Sequence, residues 1–509
     1  MALGRALVCR DAHCPAAADG DGRIGDRMTS NLSALYSISF DGLPMSGIVG
    51  ENVKLARLFA LRGYEVHLDL GYDIKPRTKY FGQPYTGMEP LPPWVTLTRL
   101  PGLLDVNGYG RDLLLEIIER HIKAPDDATR LRYHQLVGQL SNQIAEHLAE
   151  QWRRLRVRNV IVENGTIPEN VAYTMGVRQA IEQYGREMGL GRFALWRDHD
   201  VMWFYPHDRY GAAPYDTIPR LPSSRHIQHV ATNSRAASEL SKWSRVPVAI
   251  WPFCHSFEPA VITRENGGFR RDFSIPDDAI LFARCSRIVP EKRIDRDIHL
   301  VCALQQMLAS QGLSQRVILF VTSPIDERPE HFAYLRRLAR ELGIEESIIF
   351  GDGLAPFESP FTRGAPAHER HRYGIRDLLA HSQLSCFLTS YRFEGYGLPP
   401  GEAIAARIPY ASTTYELYDT VYAKHGFKSP TLAISASDDG LAPEGYVRQL
   451  LDLLLDGRQL AEAARFNHDL GRDRMSMQHF ASRPLAAFPH LDARSEPRSP
   501  RPGQGQIAL

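Results

Sequence analysis

Short apolar runs alternate with helical segments along most of this chain, and that alternation limits the folds open to it. Segments such as 51–63 carry apolar residues at steps of three and four, the spacing of one helix face, and Gly63 suits the end of that helix. Strands that alternate with helices predict parallel sheets covered by helices on both faces. The runs predicted as strands are Leu35–Phe40, Val66–Leu70, Val95–Leu100, Val160–Glu163, Phe193–Trp196, Ile227–Ala231, Val248–Trp251, Ile280–Ala283, Val317–Val321, Ser347–Phe350 and Leu384–Leu388.

The length of the chain predicts two domains and two tails. A chain of 509 residues is too long for one core and fits two domains of ordinary size. The predicted parts are a disordered leader over 1–32, Rossmann-like domains over 33–245 and 246–430, helices over 431–485 that pack back across the domains, and a disordered tail over 486–509. Ligands of such sheets bind beyond the carboxyl ends of the strands, so a site is expected in the cleft between the domains.

Composition disfavours several classes of protein. Lys and Arg number 60 and Asp and Glu 59, whereas a nucleic-acid binder is usually strongly basic, so no nucleic-acid partner is predicted. No segment approaches the roughly 20 apolar residues of a membrane span, and the N-terminal apolar run is too short for a secretory signal. The six cysteines show no CxxC spacing, which favours free thiols. A cytoplasmic protein is therefore predicted.

Two glutamates flank a glycine-rich turn after the predicted strand Leu384–Leu388. Glu394 and Glu402 lie within EGYGLPPGE, and the second falls at the start of a predicted helix, whose N-terminus favours an anion. Gly395 and Gly397 allow the backbone to approach a ligand closely. Carboxylates at the two ends of such a loop can accept hydrogen bonds from sugar hydroxyls. On spacing alone, two solvated glutamates beside a turn explain the pattern as well.

This segment resembles the E-x7-E element of the retaining GT-B glycosyltransferases of family 4. The resemblance implies that Glu394 is a catalytic group beside the donor sugar and that Glu402 holds the ribose of the nucleotide. Two positions depart from the family pattern, since Gly401 stands where a bulky apolar residue is frequent and Arg407 where glycine is usual. The backbone amides that would line the sugar and diphosphate belong to Gly395, Tyr396, Gly397 and Leu398.

A basic pair follows the predicted strand Ile280–Ala283. The segment is similar to the GR-x-x-x-x-K turn of the family, which implies that Arg287 and Lys292 bind the donor diphosphate. Fixed cations in a dry cleft stabilise the negative charge of a departing diphosphate. Outside that context, an Arg and a Lys after a strand are common surface charges. Ser286 and Arg293 stand where the family has glycines.

The N-terminal half carries weaker motifs. The family's Gly-Gly pair at the start of the first helix corresponds to Ser46 and Gly47, which implies that Gly47 approaches the diphosphate. Arg197-Asp-His-Asp resembles the family's HD turn and implies that His199, a second catalytic residue, faces the donor sugar. The two flanking aspartates could also suggest a metal, but the resemblance implies an enzyme that needs none. Asn164 and Asn170 are plausible polar residues of the cleft, and helix capping explains either equally well.

These resemblances predict an enzyme that moves a hexosyl group from a UDP- or GDP-linked sugar to a small-molecule or glycan acceptor with retention of configuration. No cofactor or metal is expected, because the nucleotide sugar is a co-substrate. The alternatives are a GT-B sugar phosphorylase, a nucleotide-sugar 2-epimerase and a non-catalytic sugar-binding protein. The sequence does not specify the base, the sugar, the acceptor or the oligomeric state.

Overall fold

The computed structural model describes most of the chain between residues 33 and 488. The residues described are 33–41, 47–70, 92, 94–98, 110–122, 126–167, 170–201, 224–322, 325, 328–351, 354 and 373–488. The leader and tail predicted over 1–32 and 486–509 lie outside these ranges, apart from 486–488, and so does Ser46.

Two parallel sheets form the framework of the described residues. The first has seven strands in the order β3-β2-β1-β4-β5-β6-β7, and the second has six in the order β10-β9-β8-β11-β12-β13. Every described strand pair is parallel. The strands are β1 Ala34–Ser39, β2 Glu65–Leu70, β3 Val95–Leu97, β4 Val157–Glu163, β5 Ala194–Asp198, β6 Ile227–Ala231, β7 Ala249–Ile250, β8 Ile280–Arg284, β9 Val317–Val321, β10 Ile348–Phe350, β11 Leu384–Phe387, β12 Tyr410–Thr413 and β13 Thr431–Leu432.

Helices connect the strands and cover both faces of each sheet. A short π-helical turn, Ile118–Ile122, follows the second helix, and 3₁₀ turns span Pro290–Lys292, Glu345–Ser347 and Ala423–His425. The α-helices are α1 Gly47–Ala60, α2 Arg111–Ile117, α3 Asp127–Leu155, α4 Val171–Glu187, α5 Ser234–Ser244, α6 Phe269–Asp272, α7 Ile294–Ser310, α8 Pro329–Glu341, α9 Ile375–His381, α10 Leu398–Ala406, α11 Tyr418–Val421, α12 Glu444–Asp456, α13 Arg458–Met475 and α14 Met477–Ala487.

Alternate residues of a central strand explain why both faces of a sheet are covered. Tyr36 of β1 packs on the side of α3 and α4, where Trp152 is fully buried. The preceding residue, Leu35, packs on the opposite side against Phe59 of α1. Successive side chains of a strand point to opposite faces, so a strand buried on both is apolar almost throughout. The strands were predicted from these continuous apolar runs.

Several details differ from the sequence prediction. The boundary predicted at 245/246 precedes β7, which pairs with β6 in the first sheet, so the first domain extends beyond Ile250. The strands β12 and β13 were not predicted, because one contains Ser and Thr and the other has two residues. Helix α1 ends at Ala60, and Gly63 follows with a left-handed φ of 78°.

Two crossings between the domains lie within the described residues, and they are hydrogen-bonded to each other. The amide of His255 donates to the Met475 carbonyl at 2.9 Å, and the amide of Met477 donates to the His255 carbonyl at 3.2 Å. After this crossing, α14 packs on the first domain, where Phe480 joins Leu55 and Trp251 in one buried cluster. The region predicted to return across the domains is therefore confined to α14 among the described helices, because α12 and α13 pack on the second domain.

The described helices include none that is long and apolar enough to cross a membrane.

Candidate active site

A cleft of about 1350 Å³ lies between the two sheets and takes side chains from both. It is bounded by segments that follow the carboxyl ends of β1, β5, β8 and β11, where ligands of parallel sheets bind. Ten of the predicted site residues line this cleft, whereas Asn164 and Asn170 are absent from its lining. The ten residues are Gly47, His199, Arg287, Lys292, Glu394, Gly395, Tyr396, Gly397, Leu398 and Glu402.

Glu394 lies at the centre of the second domain's side of the cleft. Its Oε2 accepts a hydrogen bond from Lys292 Nζ at 2.6 Å, and its Oε1 accepts one from the Gly397 amide at 2.8 Å. The side chain of Glu394 is 8% exposed and that of Lys292 23%. The Tyr396 amide also points at Oε1, at 3.4 Å. Glu394 therefore accepts hydrogen bonds from two of the loop amides that were predicted to contact the donor.

Two tyrosines fix the glycine-rich loop. The hydroxyl of Tyr415 donates to the Tyr396 carbonyl, and the hydroxyl of Tyr422 donates to the Gly397 carbonyl, both at 2.5 Å. Gly397 has a left-handed φ of 81°, and a Cβ there would lie 2.4 Å from the Tyr415 oxygen. The loop therefore requires glycine at this position for both its backbone conformation and its packing.

Buried arginines position the loops that carry the predicted phosphate ligands. Arg284, fully buried at the end of β8, binds Asp297 Oδ2 at 2.6 Å and also donates to the Lys292 carbonyl. Arg296, fully buried in α7, donates to the Leu388 and Thr389 carbonyls at 3.1 and 2.7 Å. The first arginine orders the turn that presents Lys292, and the second orders the segment after β11 that leads to Glu394.

Two arginines at positions where the resembled motifs carry glycine have left-handed backbone conformations. Arg293 has φ 52° and Arg407 has φ 62°, both in the left-handed region. A side chain there costs on the order of 1 kcal/mol relative to an ordinary conformation. Arg293 has compensating contacts, since it binds Asp295 at 3.1 Å and the Asp439 carbonyl at 2.7 Å. The predicted turns are therefore formed despite the substitutions.

The other departure, Gly401, is explained by a histidine in the linker between the domains. A Cβ at Gly401 would lie 2.3 Å from His255 Nε2 and 3.0 Å from the Tyr422 oxygen. His255 is 2% exposed, and burial lowers its pKa well below the ordinary value, with Lys54 adding to the shift. A neutral imidazole thus fills the space above α10 that a bulky side chain at position 401 would otherwise take.

His199 belongs to a buried chain of charged groups in the first domain. Its Nε2 lies 2.5 Å from Glu163 Oε2, and Arg197 Nε lies 3.0 Å from Glu163 Oε1. Arg197 reaches Glu51 at 3.3 Å on its other side, and Lys54 reaches Glu51 at 2.8 Å. The side chains of Glu51, Glu163 and Arg197 are fully buried.

The turn that carries His199 is held by backbone and side-chain hydrogen bonds. Asn164, with φ 58°, accepts from the amides of His199 and Asp200 at 3.1 and 3.0 Å, so it shapes the turn. Asn170, the other candidate, caps α4 by accepting from the Tyr173 amide. Burial raises the pKa of Asp198 to about 7, although hydrogen bonds from Thr166 oppose the shift.

Residues of the two domains approach each other closely across the cleft. A Cβ on Gly47 would lie 2.3 Å from Leu398 Cδ1, which explains a small residue at the start of α1. At the rim, Arg235 Nη1 lies 2.9 Å from Glu416 Oε2, and these side chains are 33% and 36% exposed.

Glu402 lies within the field of a lysine from the first domain. Burial alone lowers the pKa of Lys54, but Glu51 and then Glu402 outweigh that effect, so the pKa is raised overall. Lys54 also donates to the Cys254 carbonyl at 3.3 Å. Among the residues that line the cleft, Lys54 therefore brings a positive charge close to the carboxylate predicted for the ribose.

Sequence reasoning missed the charged residues that organise the site from behind. Glu51, Glu163 and Arg197 occur in a helix and two strands, where a charged residue normally marks a solvated face. One signal was available, because charges at the ends of β4 and β5 interrupt runs that are otherwise buried. Within the described ranges, no cluster of three or more His, Cys, Asp or Glu side chains could hold a metal ion.

Two Rossmann-like domains that face each other across a cleft define the GT-B fold. Solved structures match this architecture over nearly their whole length. A sucrose-phosphate synthase from Thermosynechococcus elongatus matches with TM-score 0.58 and 12% identity, over 91% of this chain and 100% of that one. WaaG, a glycosyltransferase involved in lipopolysaccharide biosynthesis, matches with TM-score 0.52 and 14% identity, over 89% and 98%.

A third similar structure contains a nucleotide sugar. Anabaena HepE in complex with UDP-glucose matches with TM-score 0.55 and 11% identity, over 90% of this chain and 99% of that one. No family model matches the chain, and no curated protein matches it. At these identities, the structures establish the predicted GT-B fold.

Proposed function

We propose that this protein is a retaining glycosyltransferase that moves a hexosyl group from a UDP- or GDP-linked sugar to a small-molecule or glycan acceptor. The observation that carries the proposal is the convergence of the predicted donor residues of both domains on one cleft, with Glu394 held between Lys292 and the loop amides. We also propose a cytoplasmic location, which the four free cysteines of the described residues support.

The groups of the cleft suit the stages of transfer. Arg287 and Lys292 supply positive charge for the departing diphosphate, and preorganised charges in a water-poor cleft stabilise a transition state without reorganising. Glu402 accepts hydrogen bonds from the ribose hydroxyls, as the motif resemblance implies. Lys292 has two partners in succession, since it pairs with Glu394 before the donor binds and with the donor diphosphate afterwards.

The acceptor reaches the anomeric carbon from the first domain. Glu394 and His199 contact the donor sugar from opposite domains, so closing the cleft brings both to the transferred group and excludes water. Retention follows from attack on the face that the diphosphate leaves, with a phosphate oxygen taking the acceptor proton. This step needs no metal in the proposed mechanism.

The first test of the proposal is donor binding. The purified protein is heated with UDP, GDP or ADP, and a ligand that binds the native state raises the unfolding temperature. We expect UDP or GDP to stabilise the protein, and incubation of the corresponding nucleotide sugar with a panel of acceptors to release nucleoside diphosphate. Proton NMR of the product is expected to show the donor's anomeric configuration.

The same experiments separate the alternatives. A sugar phosphorylase would form a sugar 1-phosphate from a glycan and inorganic phosphate, and no nucleotide would stabilise it. A sugar-binding protein would bind without turnover with every acceptor tried. A product of inverted configuration would refute the retaining mechanism while leaving transfer intact.

A further inference from the structure

The buried charge chain behind His199 has one group that touches the imidazole directly. His199 lines the cleft, whereas Glu163 is fully buried at the end of β4 and is absent from the cleft lining. The 2.5 Å separation between His199 Nε2 and Glu163 Oε2 is that of a short hydrogen bond to a charged acceptor. A carboxylate only accepts hydrogen bonds, so the proton of this contact is carried by Nε2.

The charged groups around this contact alternate in sign. Glu163 pairs with Arg197, Arg197 with Glu51, and Glu51 with Lys54, which also lies within the field of Glu402. The thiol of Cys254 beside them stays neutral, because burial raises its pKa to about 12. The carboxyl of Asp198, the residue before His199, accepts hydrogen bonds from the amide and hydroxyl of Thr166. Within this chain of charged groups, Glu163 is therefore the carboxylate that contacts the imidazole of His199.

The imidazole is also fixed in orientation. The His199 ring packs edge-on against Phe253 with centroids 4.7 Å apart, and its backbone amide and carbonyl are bound by Asn164 and Asn233. Phe253 in turn packs against Tyr396 at 4.4 Å. The ring and both backbone groups are therefore held with Nε2 against Glu163.

We propose that Glu163 is a positioning residue that holds His199 as the Nε2–H tautomer, so that Nδ1 is the ring nitrogen left as a hydrogen-bond acceptor. The inference rests on the proposed function, in which His199 meets the donor sugar. An imidazole in this tautomer recognises a group that donates, such as a sugar hydroxyl, and rejects one that only accepts.

The tautomer is measurable without any substrate. Two-bond nitrogen–proton NMR on protein labelled with ¹⁵N-histidine distinguishes the tautomers, and a His199→Ala sample assigns the signal. At pH 8, we expect protonated Nε2 and unprotonated Nδ1 in the natural protein and in Glu163→Gln, whose amide oxygen still accepts. In Glu163→Ala the preference is expected to be lost. Protonated Nδ1 in the natural protein, or an unchanged spectrum in Glu163→Ala, would overturn the proposal.

Kinetics test whether this positioning matters for transfer. Partners that orient metal-bound histidines are worth about 10- to 100-fold, and by analogy we expect kcat to fall about 10-fold in Glu163→Gln and about 100-fold in Glu163→Ala, with KM for the donor changed less. In the His199→Ala background neither change should cost more, because Glu163 acts through His199. Equal losses in the Gln and Ala variants would show that charge, not hydrogen bonding, matters and would refute the tautomer assignment.

Glu187 provides a matched control. It binds Arg153 through both carboxylate oxygens at 3.0 and 3.1 Å on the exposed surface, so Glu187→Gln and Glu187→Ala repeat the chemistry away from the cleft. These variants should leave kcat unchanged. If Glu163→Ala does not fold, the spectra of the natural protein and Glu163→Gln still decide the tautomer. A natural protein with the expected tautomer but no transferase activity would refute the proposed function and leave the positioning role intact.

Discussion

At the scale of single residues, the contacts of Glu394 separate its role in folding from its role in chemistry. The carboxylate balances Lys292 and satisfies the Gly397 amide, but the loop is held independently by Tyr415 and Tyr422 through its carbonyl groups. Removing the carboxylate therefore leaves the backbone of the loop anchored. The residue can be tested for function without dismantling the site.

Glu394→Ala is expected to lower kcat at least about 100-fold, the usual cost of one well-placed polar group in a transition state. The unfolding free energy should fall by only about 1–3 kcal/mol, since one amide and Lys292 lose a partner. Steady-state kinetics and urea denaturation measure the two effects. Glu444→Ala removes an exposed glutamate on α12 as a control. Full activity in the Glu394 variant would refute the site assignment.

Asp198 predicts a pH dependence of stability. Its pKa is raised from 3.8 to about 7 in the folded protein, so the folded state binds this proton more tightly than the unfolded chain. The contribution of the group is full below about pH 4 and is lost as the pH rises to about 7. Between pH 5 and pH 8 the loss amounts to about 3 kcal/mol at most. Urea denaturation at both values should show a smaller decline in Asp198→Asn, and parallel declines would contradict the shift.

At the scale of elements, the start of α10 depends on a fit between two distant segments. Gly401 and His255 occupy one volume, in which the imidazole takes the space of the missing side chain. The same glycine donates its amide to the Tyr422 hydroxyl at 3.1 Å. A single methyl group at position 401 therefore pushes against both the linker and the residue that anchors the glycine-rich loop.

Gly401→Ala is expected to destabilise the protein by about 1–3 kcal/mol, the usual cost of overpacking a core. In the double variant with His255→Ala, the two losses should be less than additive by at least about 0.5 kcal/mol, because the second change makes room for the methyl group. Chemical denaturation measures all three variants. Gly445→Ala in α12 is the control, since a Cβ there meets no atom within 4 Å. Strict additivity would show that the two positions do not share the space.

The elements also show which parts of the molecule a sequence pattern reveals. Continuous apolar runs identify strands buried on both faces. Strand β12 lacks such a run because it contains Ser412 and Thr413, although both residues are fully buried. The GT-B fold was predicted correctly. Motif residues were predicted because their spacing is local. Glu163 and Arg197 were not, since their burial depends on Glu51, far away in the chain.

At the scale of the whole molecule, the rim of the cleft is closed by weak contacts. Arg235 pairs with Glu416, and Ser234 Oγ lies 3.3 Å from Thr420 Oγ1 across the same rim. A partly exposed ion pair contributes only about 0–1 kcal/mol. These contacts alone therefore hold the rim weakly, and domain opening at this rim would admit substrates.

A disulfide across this rim tests whether opening is needed for turnover. The hydroxyl separation suggests that Ser234→Cys with Thr420→Cys can be oxidised to a cross-link. We expect oxidation to slow turnover about 10-fold or more, because substrate and product must pass the locked rim. Steady-state rates before and after reduction measure the effect, with each single cysteine variant as a control. Unchanged rates in the oxidised double variant would show that substrates enter elsewhere.

The return of α14 to the first domain means that this domain is built from two segments that are far apart in the sequence. Phe480 packs beside Arg197, with the guanidinium carbon 5.6 Å from the ring centre, and completes the cluster around Trp251. When only the residues of the first sheet have been synthesised, the part of the first domain's core that α14 contributes is therefore still missing. The charge chain behind His199 is covered only after residue 480 has been synthesised, so a first domain excised at the linker would lack that cover.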